Sequence, residues 1–433
     1  MSLANRLEQP EAQLDAEEAA SDLNTASASR ATAALRSRLT VGERPGVSSG
    51  AKVTSAPQAG RDYALDAARA VLMLLGVVLH SASAYSVNGE WVIRDTENSV
   101  VLDWLIQSVH LFRMPAFFWI SGYFFALTMS RGDGRVVLGR RLFRLLVPAI
   151  ATWLTFNVAQ EWVVAVANQK DPVETILRGG VPIYHLWFLV DLVVMTLVAA
   201  LAFALPEALV ERVRRRLPES GTVPGVLLML TALWFVSYTA ARLTGLAYVH
   251  VGGLTTLSRL ASYLPFFAVG IAMYHLTGIR RTFLRVPPVL ALFAIPFGVY
   301  CYSFRREQGF LAELAAPAEQ LMVWICVAVV LQLFYRLIRR ESRTVTTLSD
   351  ASYSIYLFHH FIMVVLVLVL LPLPLGALPK FVVSSIIAFG IAAMLHLVFV
   401  RRIPLLRLLF NGKRVAPRRT RGAAAATAPI ASG

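Results

Sequence analysis

Ten stretches of this chain are each long and apolar enough to cross a bilayer, for which about 17 to 25 mostly apolar residues suffice at about 1.5 Å of rise per helical residue. They fall near Leu65–Ser86, Ser99–Met129, Leu142–Val166, Tyr184–Leu205, Val223–Leu246, Leu260–Leu276, Val286–Ser303, Pro317–Leu337, Ala351–Leu371 and Phe381–Val400. Backbone in lipid must satisfy its own hydrogen bonds, so the chain is expected to fold as an all-α, polytopic integral membrane protein with about ten transmembrane helices. Composition agrees: 57% of the 433 residues are hydrophobic and 15% charged, whereas about a quarter charged is usual in a soluble domain.

Orientation follows from where Lys and Arg collect. Arg131, Arg135, Arg140, Arg141 and Arg144 stand between spans two and three, and similar clusters follow spans four, six, eight and ten. These segments hold twenty-four basic residues against eight in the alternate loops. Both termini and every basic loop are therefore expected in the cytoplasm. The net charge of +15 is read as a topology signal, because the basic residues form short clusters between apolar runs and no aromatic-interleaved patch; no nucleic-acid partner is expected. Residues 1–60, rich in Ala, Ser, Thr and mixed charge, are expected to be a disordered cytoplasmic tail. Residues 62–402 are the expected membrane domain, and 403–433 a basic and then Ala-rich cytoplasmic tail. Cys301 and Cys326 sit inside apolar segments without a second ligand pattern, which supports neither a disulfide framework nor a metal site.

A charge at membrane depth costs several kcal/mol, so each ionisable residue within a span is a candidate site residue. Span one carries Asp66, Arg69 and His80, the last about 16 Å beyond the arginine at helical rise. Span two brings in His110 and Arg113 beside Pro115, which bends helices. Span four opens with Tyr184, His185 and Trp187, and span nine holds Tyr356, His359 and His360. Adjacent helical positions point about 100° apart, so at most one of His359 and His360 is expected to face a site. Blander roles exist: Asp66 as a helix cap, Arg69 reaching the interface, His110 as a helix contact, Tyr184 and Trp187 in an aromatic belt. Arg113 is harder to dismiss, since it keeps its proton and needs an anion, a carbonyl or water.

A neutral buried histidine suits a general base, and cytoplasmic arginines suit a phosphate-bearing donor. No P-loop, no GxGxxG after a strand and no HExxH motif occurs. The residues alone leave two readings: an enzyme joining a cytoplasmic anionic donor to an acceptor reached from outside, or a secondary transporter of an anionic or sugar substrate.

Asp66 to His80 reads Asp-x-x-Arg-x10-His, which resembles the first-helix signature of membrane-bound acyltransferase family 3. HLFRMPAFFWISG from His110 to Gly122 is similar to that family's second-helix motif; RLFRLLVP from Arg141 to Pro148 resembles its Arg-x-x-Arg motif, and YSIYLFH from Tyr353 to His359 its late Tyr-x-Leu-aromatic-His motif. YHLWFL from Tyr184 and FRMP from Phe112 bring the resemblance nearest to the branch that succinylates periplasmic glucans. It implies an O-acyltransferase moving a succinyl or acetyl group from a cytoplasmic acyl-coenzyme A to a hydroxyl of an extracytoplasmic glycan, in a bacterial inner membrane. His80 would be the catalytic base and Arg69 the essential arginine of its helix, with Arg141 and Arg144 positioning the donor. Asp66 and His359 join the expected catalytic set, and Arg113, Tyr356, His110 and Trp187 the substrate-binding one. Arg113, His359 and Tyr356 are unranked candidates for the oxyanion donor. No bound cofactor is expected; acyl-coenzyme A is a co-substrate, and the remaining partners are the bilayer and the glycan.

Overall fold

The helices begin where the sequence supplies an acceptor for the first free N–H groups. In the computed structural model, which describes residues 62–204, 211, 212, 215, 218–304 and 310–413, α1 (Tyr63–Ala84) is capped by Asp62, whose carboxylate accepts from Leu65 N at 3.0 Å and from the Tyr335 hydroxyl at 2.8 Å. The cap is thus Asp62, and Asp66 pairs with Arg69. Ser99 caps α2 (Val100–Met129) and Asp133 caps α3 (Gly134–Thr152). A π-helical turn at Trp153–Asn157 carries α3 into α4 (Val158–Ala167), and α5 (Pro172–Gly179) follows. After a 3-10 turn at Tyr184–Leu186 come α6 (Trp187–Phe203), α7 (Val223–Leu243), a hairpin of β1 (His250–Val251) and β2 (Thr255–Thr256), α8 (Leu257–His275) and α9 (Thr277–Phe283). The chain ends in α10 (Leu290–Phe304), α11 (Phe310–Leu337), α12 (Arg343–Leu370), α13 (Ala377–Leu395) with a π turn to Val400, and α14 (Pro404–Asn411).

Eight helical segments among the described residues are long and apolar enough to cross a membrane. They coincide with eight of the ten predicted spans. The other two places are filled by α2, which has 30 residues but carries Asp103, His110 and Arg113, and by α10, which has 15. The protein is an all-α polytopic membrane protein. The expected tail at 1–60 and the chain after 413 lie outside the described residues. Residues 404–411, at the start of the other expected tail, form α14, whose buried Phe410 meets Phe358 at 5.1 Å and Phe156 at 5.7 Å between ring centroids.

The helices divide into an inner and an outer set. Two thirds of the apolar stretch of both α1 and α12 is buried (67%), against 22% for α3 with α4 and for α13. The inner helices α1, α2, α8, α11 and α12 pack on one another, and the outer ones turn a broad face to lipid. Without a hydrophobic force between helices in lipid, close packing depends on small residues at the crossings. Gly122 of α2 and Gly270 of α8 supply them reciprocally. A Cβ on Gly122 would stand 2.0 Å from the Phe267 carbonyl oxygen, and one on Gly270 would stand 2.0 Å from that of Trp119. Both obstacles are backbone and cannot swing away.

Gly270→Val should therefore push α2 and α8 apart, at a cost of about 1–3 kcal/mol or more. A thermal melt in detergent will show a lowered midpoint for Gly270→Val and an unchanged one for Gly139→Ala, whose added Cβ meets open space.

Candidate active site

A cavity of about 870 Å³ opens between α1, α2, α8, α11 and the 184–187 turn. Its rim comes from segments beside the loops that hold few arginines: residues 88–92, the Tyr184 turn, Arg259, Tyr302 and Glu319. Four of the expected site residues line it, namely His80, His110, Arg113 and Trp187. Trp187 forms a wall, held by Arg259 at 4.6 Å above its ring, while Arg259 itself is bound by the buried Asp191 at 2.7 Å and 3.2 Å.

Around His80 lies a layer of imidazoles. Its ring centroid is 5.3 Å from that of His359 and 5.0 Å from that of His360; His185 stacks on His360 at 4.7 Å and stands 5.4 Å from His359. As expected for adjacent helical positions, one of His359 and His360 lines the cavity, although both rings meet His80. Because α12 is enclosed on most sides, positions 100° apart both find partners in the same layer. Their surroundings differ, for His360 lines the cavity and His359 is fully buried behind it.

Hydrogen bonds fix how these rings present their nitrogens. The His359 Nδ1 lies 2.6 Å from the Tyr356 carbonyl, which can only accept, so Nδ1 carries the proton and Nε2 is the acceptor. The His360 Nδ1 meets the Gln160 Oε1 at 2.7 Å. Tyr356 donates its hydroxyl to the His185 backbone carbonyl, which ties α12 to the 184–187 turn. Among the described residues no group of three or more His, Cys, Asp or Glu side chains has an arrangement that would hold a metal ion.

Arg113 is 6% exposed, and its Nε donates to the Leu72 carbonyl of α1 at 3.0 Å. It reaches that carbonyl by crossing α1 at a glycine: a Cβ on Gly76 would stand 2.7 Å from Arg113 Nη2 and 3.8 Å from His359 Nε2. No carboxylate of the described residues pairs with it. Its guanidinium lies at the level of Gly76, one helical turn, about 6 Å, from His80.

Of the other expected residues, His359 and Tyr356 stand in the histidine layer, Asp66, Arg69, Arg141 and Arg144 sit toward the basic end of the bundle, and none of the six lines the cavity. Arg69 Nη2 reaches the buried Asp66 at 3.3 Å, next to the Ser349 hydroxyl, and its guanidinium lies 5.5 Å from the Phe124 ring centroid. Arg141 is turned inward, donating to Thr196 Oγ1 at 3.1 Å and to the Ser121 carbonyl at 3.2 Å, over the rings of Phe125 and Phe267. Arg144 is exposed, and its backbone carbonyl accepts from the Tyr353 hydroxyl at 3.2 Å. Sequence reading assigned no role to Gln160 or Trp91, and it named His185 among the polar residues of span four without giving it one. The Trp91 indole stands 5.0 Å from His80 and 4.5 Å from His360, brought there by a loop with no local periodicity to announce it.

A multi-pass helical bundle with a histidine layer at the floor of a cavity is the class of protein this geometry defines. The model of the family described as "Acyltransferase domain" matches residues 62–397, and the chain belongs to that family, acyltransferase family 3. It is a membrane acyltransferase rather than the transporter that the same polar residues allowed, and a multi-pass protein of the bacterial inner membrane. The chain is similar to "Glucans biosynthesis protein C" of Shigella dysenteriae serotype 1 (strain Sd197) and of Escherichia coli (strain K12), 29% identical over 387 residues covering 83% of this chain and 97% of each relative. The protein of the same name from Salmonella schwarzengrund (strain CVM19633) is 27% identical over 384 residues, 85% of this chain and 99% of its own length. No solved structure shows a significant match.

Gly76→Ala places a methyl group in the path of the Arg113 guanidinium, whose end can swing aside, so the fold should survive while the group moves by about an ångström. A displacement of that size is enough to reduce acyl transfer about tenfold or more. Activity in membranes together with the melting midpoint of the purified variant checks this: lowered activity with an unchanged midpoint is expected.

Proposed function

We propose that this acyltransferase carries a succinyl or acetyl group from a cytoplasmic acyl-coenzyme A to a hydroxyl of an extracytoplasmic glucan, with His80 as general base. The single observation that carries the reading is His80 itself, an imidazole in the wall of a cavity within the bundle, with a carboxylate-free guanidinium one helical turn below. The glucan acceptor rests on the name that the relatives carry, glucans biosynthesis protein C.

In this reading the basic loops face the cytoplasm, and the donor's phosphates dock among Arg141, Arg144 and neighbouring arginines, which suit phosphate by charge and fork geometry. Arg69, locked to Asp66, lines the way inward along α1. The thioester then reaches the level of Gly76 and Arg113, while the sugar hydroxyl descends from the cavity. His80 removes the hydroxyl proton as the oxygen attacks the thioester carbonyl. The tetrahedral oxyanion takes hydrogen bonds from the Arg113 guanidinium, the ranking that the geometry favours over Tyr356, whose hydroxyl is committed to His185. Collapse breaks the carbon–sulfur bond, and the departing thiolate receives the proton from His80. His359 sits between base and guanidinium as a neutral acceptor, His110 and Trp187 form walls on the acceptor side, and no net proton is released.

His80→Ala should lower acyl transfer by about 10²-fold or more, the usual contribution of a general base. Arg141→Ala should raise the KM for acyl-coenzyme A by about tenfold, with a smaller change in kcat. Steady-state rates from coenzyme A release by purified protein check both. Full activity in His80→Ala would end the assignment.

A further inference from the structure

The loop from Val87 to Asn98 carries more fixing contacts than a simple connection between α1 and α2 needs. Asp103 accepts from the backbone N–H groups of Val87 at 3.2 Å and Asn88 at 2.9 Å, and Arg94 donates to the carbonyls of Ser86 at 2.9 Å and Val87 at 2.6 Å. Asp95 forms an ion pair at 2.8 Å with Lys380 of α13, and their side chains are 0% and 1% exposed. Lys380 also donates to the Leu371 carbonyl at 3.3 Å. Removing one partner of such a pair strands a buried charge, so the contact is a firm tie between the loop and α13.

These ties hold Trp91. Its indole packs on the rings of His80 and His360, and the rest of it forms cavity wall. Its Nε1–H is buried and meets no acceptor among the described residues, an uncompensated donor beside the proposed base. The same lining includes the amides of Asn88, Gln107 and Gln320 and the carboxylate of Glu90. Amides and carboxylates beside an aromatic face suit a neutral, hydroxyl-rich ligand. A polyphosphate would demand several free cations, and of the two arginines in the lining Arg259 is held by Asp191 and Arg113 is bound to the Leu72 carbonyl at the cavity floor.

We infer that the Val87–Asn98 loop is the acceptor-recognition element: Trp91 stacks on the apolar face of a pyranose ring of a neutral glycan and donates its indole N–H to a sugar oxygen, and the Lys380–Asp95 pair holds it in place over His80. This rests on the proposed transfer to a glycan and adds the residues that select it. A ring set against the base presents a hydroxyl to His80 while excluding water from that side of the layer.

The test uses the purified full chain in detergent, with acyl-coenzyme A and laminarihexaose, a neutral β-glucan, or its sulfated form as acceptor. Trp91→Leu is expected to raise the acceptor KM about tenfold, and Trp91→Phe, which keeps the ring and loses the N–H, about threefold, with the donor KM unchanged. The paired replacement Lys380→Met with Asp95→Leu, which leaves no stranded charge, should shift acceptor KM in the same direction as Trp91→Leu. The wild type should use the neutral oligosaccharide in preference to the sulfated one. An acceptor KM indifferent to Trp91, a donor KM that rises equally, or a preference for the sulfated form overturns the inference. Absence of transfer to any glycan by the wild type would sink the acceptor reading itself, a result distinct from these.

Discussion

An arginine in hydrocarbon keeps its charge, and a neutral imidazole keeps one donor and one acceptor. Partners for these groups determine which helices stand at the centre of this bundle. Arg113 leaves α2 and takes the Leu72 carbonyl of α1, an approach open only because residue 76 lacks a side chain. His359 turns its Nδ1 to the backbone of its own helix, His360 turns to Gln160 on α4, and Tyr356 binds the backbone of His185 at the entrance to α6. Five segments are thus drawn to one level. These contacts tie the helices together while the His359 Nε2 and the Gln160 Nε2 meet no partner among the described residues, so the polar layer is the fold's centre and its site together.

On either side of that layer the protein is chemically unlike itself. Toward the basic loops stand Arg69, Arg141 and Arg144, the first two inside the bundle with cation–π contacts to successive phenylalanines of α2. Toward the other side the bundle opens into a cavity walled by Trp91, Trp187 and Tyr263, with amides and carboxylates at its rim. An anionic donor and a neutral polyhydroxylated acceptor call for these two surroundings. Arg113 and His80, about one turn apart on the axis of α1, are where the two approaches meet.

Much of the scaffold was legible because membrane crossing imposes length and apolarity on each span, and the alternation of basic loops kept the count consistent. The places where the pattern was weak are informative. Span two is the least apolar because it carries Arg113 and His110 toward the cavity, and span seven is short. His80, Arg69, Arg113 and His359 were legible as candidates because their polarity conflicts with their surroundings. The loop after α1 was illegible, since Trp91 and Asp95 gain their meaning from His80 and Lys380, the latter 285 residues away in sequence. Lys380 was counted as an ordinary loop charge and is instead nearly inaccessible. The adjacency of His359 and His360 allowed one of them to face a site, but the pattern could not say which: His360 lines the cavity, and His359, the expected site residue, is buried behind it.

The central claim is that one histidine layer joins a donor from the face of the basic loops to an acceptor from the cavity face. Proteoliposomes sorted to a single orientation test it directly, with acyl-coenzyme A confined to one side and a β-glucan oligosaccharide to the other. Acylated glucan should form only when the donor is on the basic-loop side and the acceptor on the cavity side. Equal product with both reactants on the same side, or with the two sides exchanged, would contradict it.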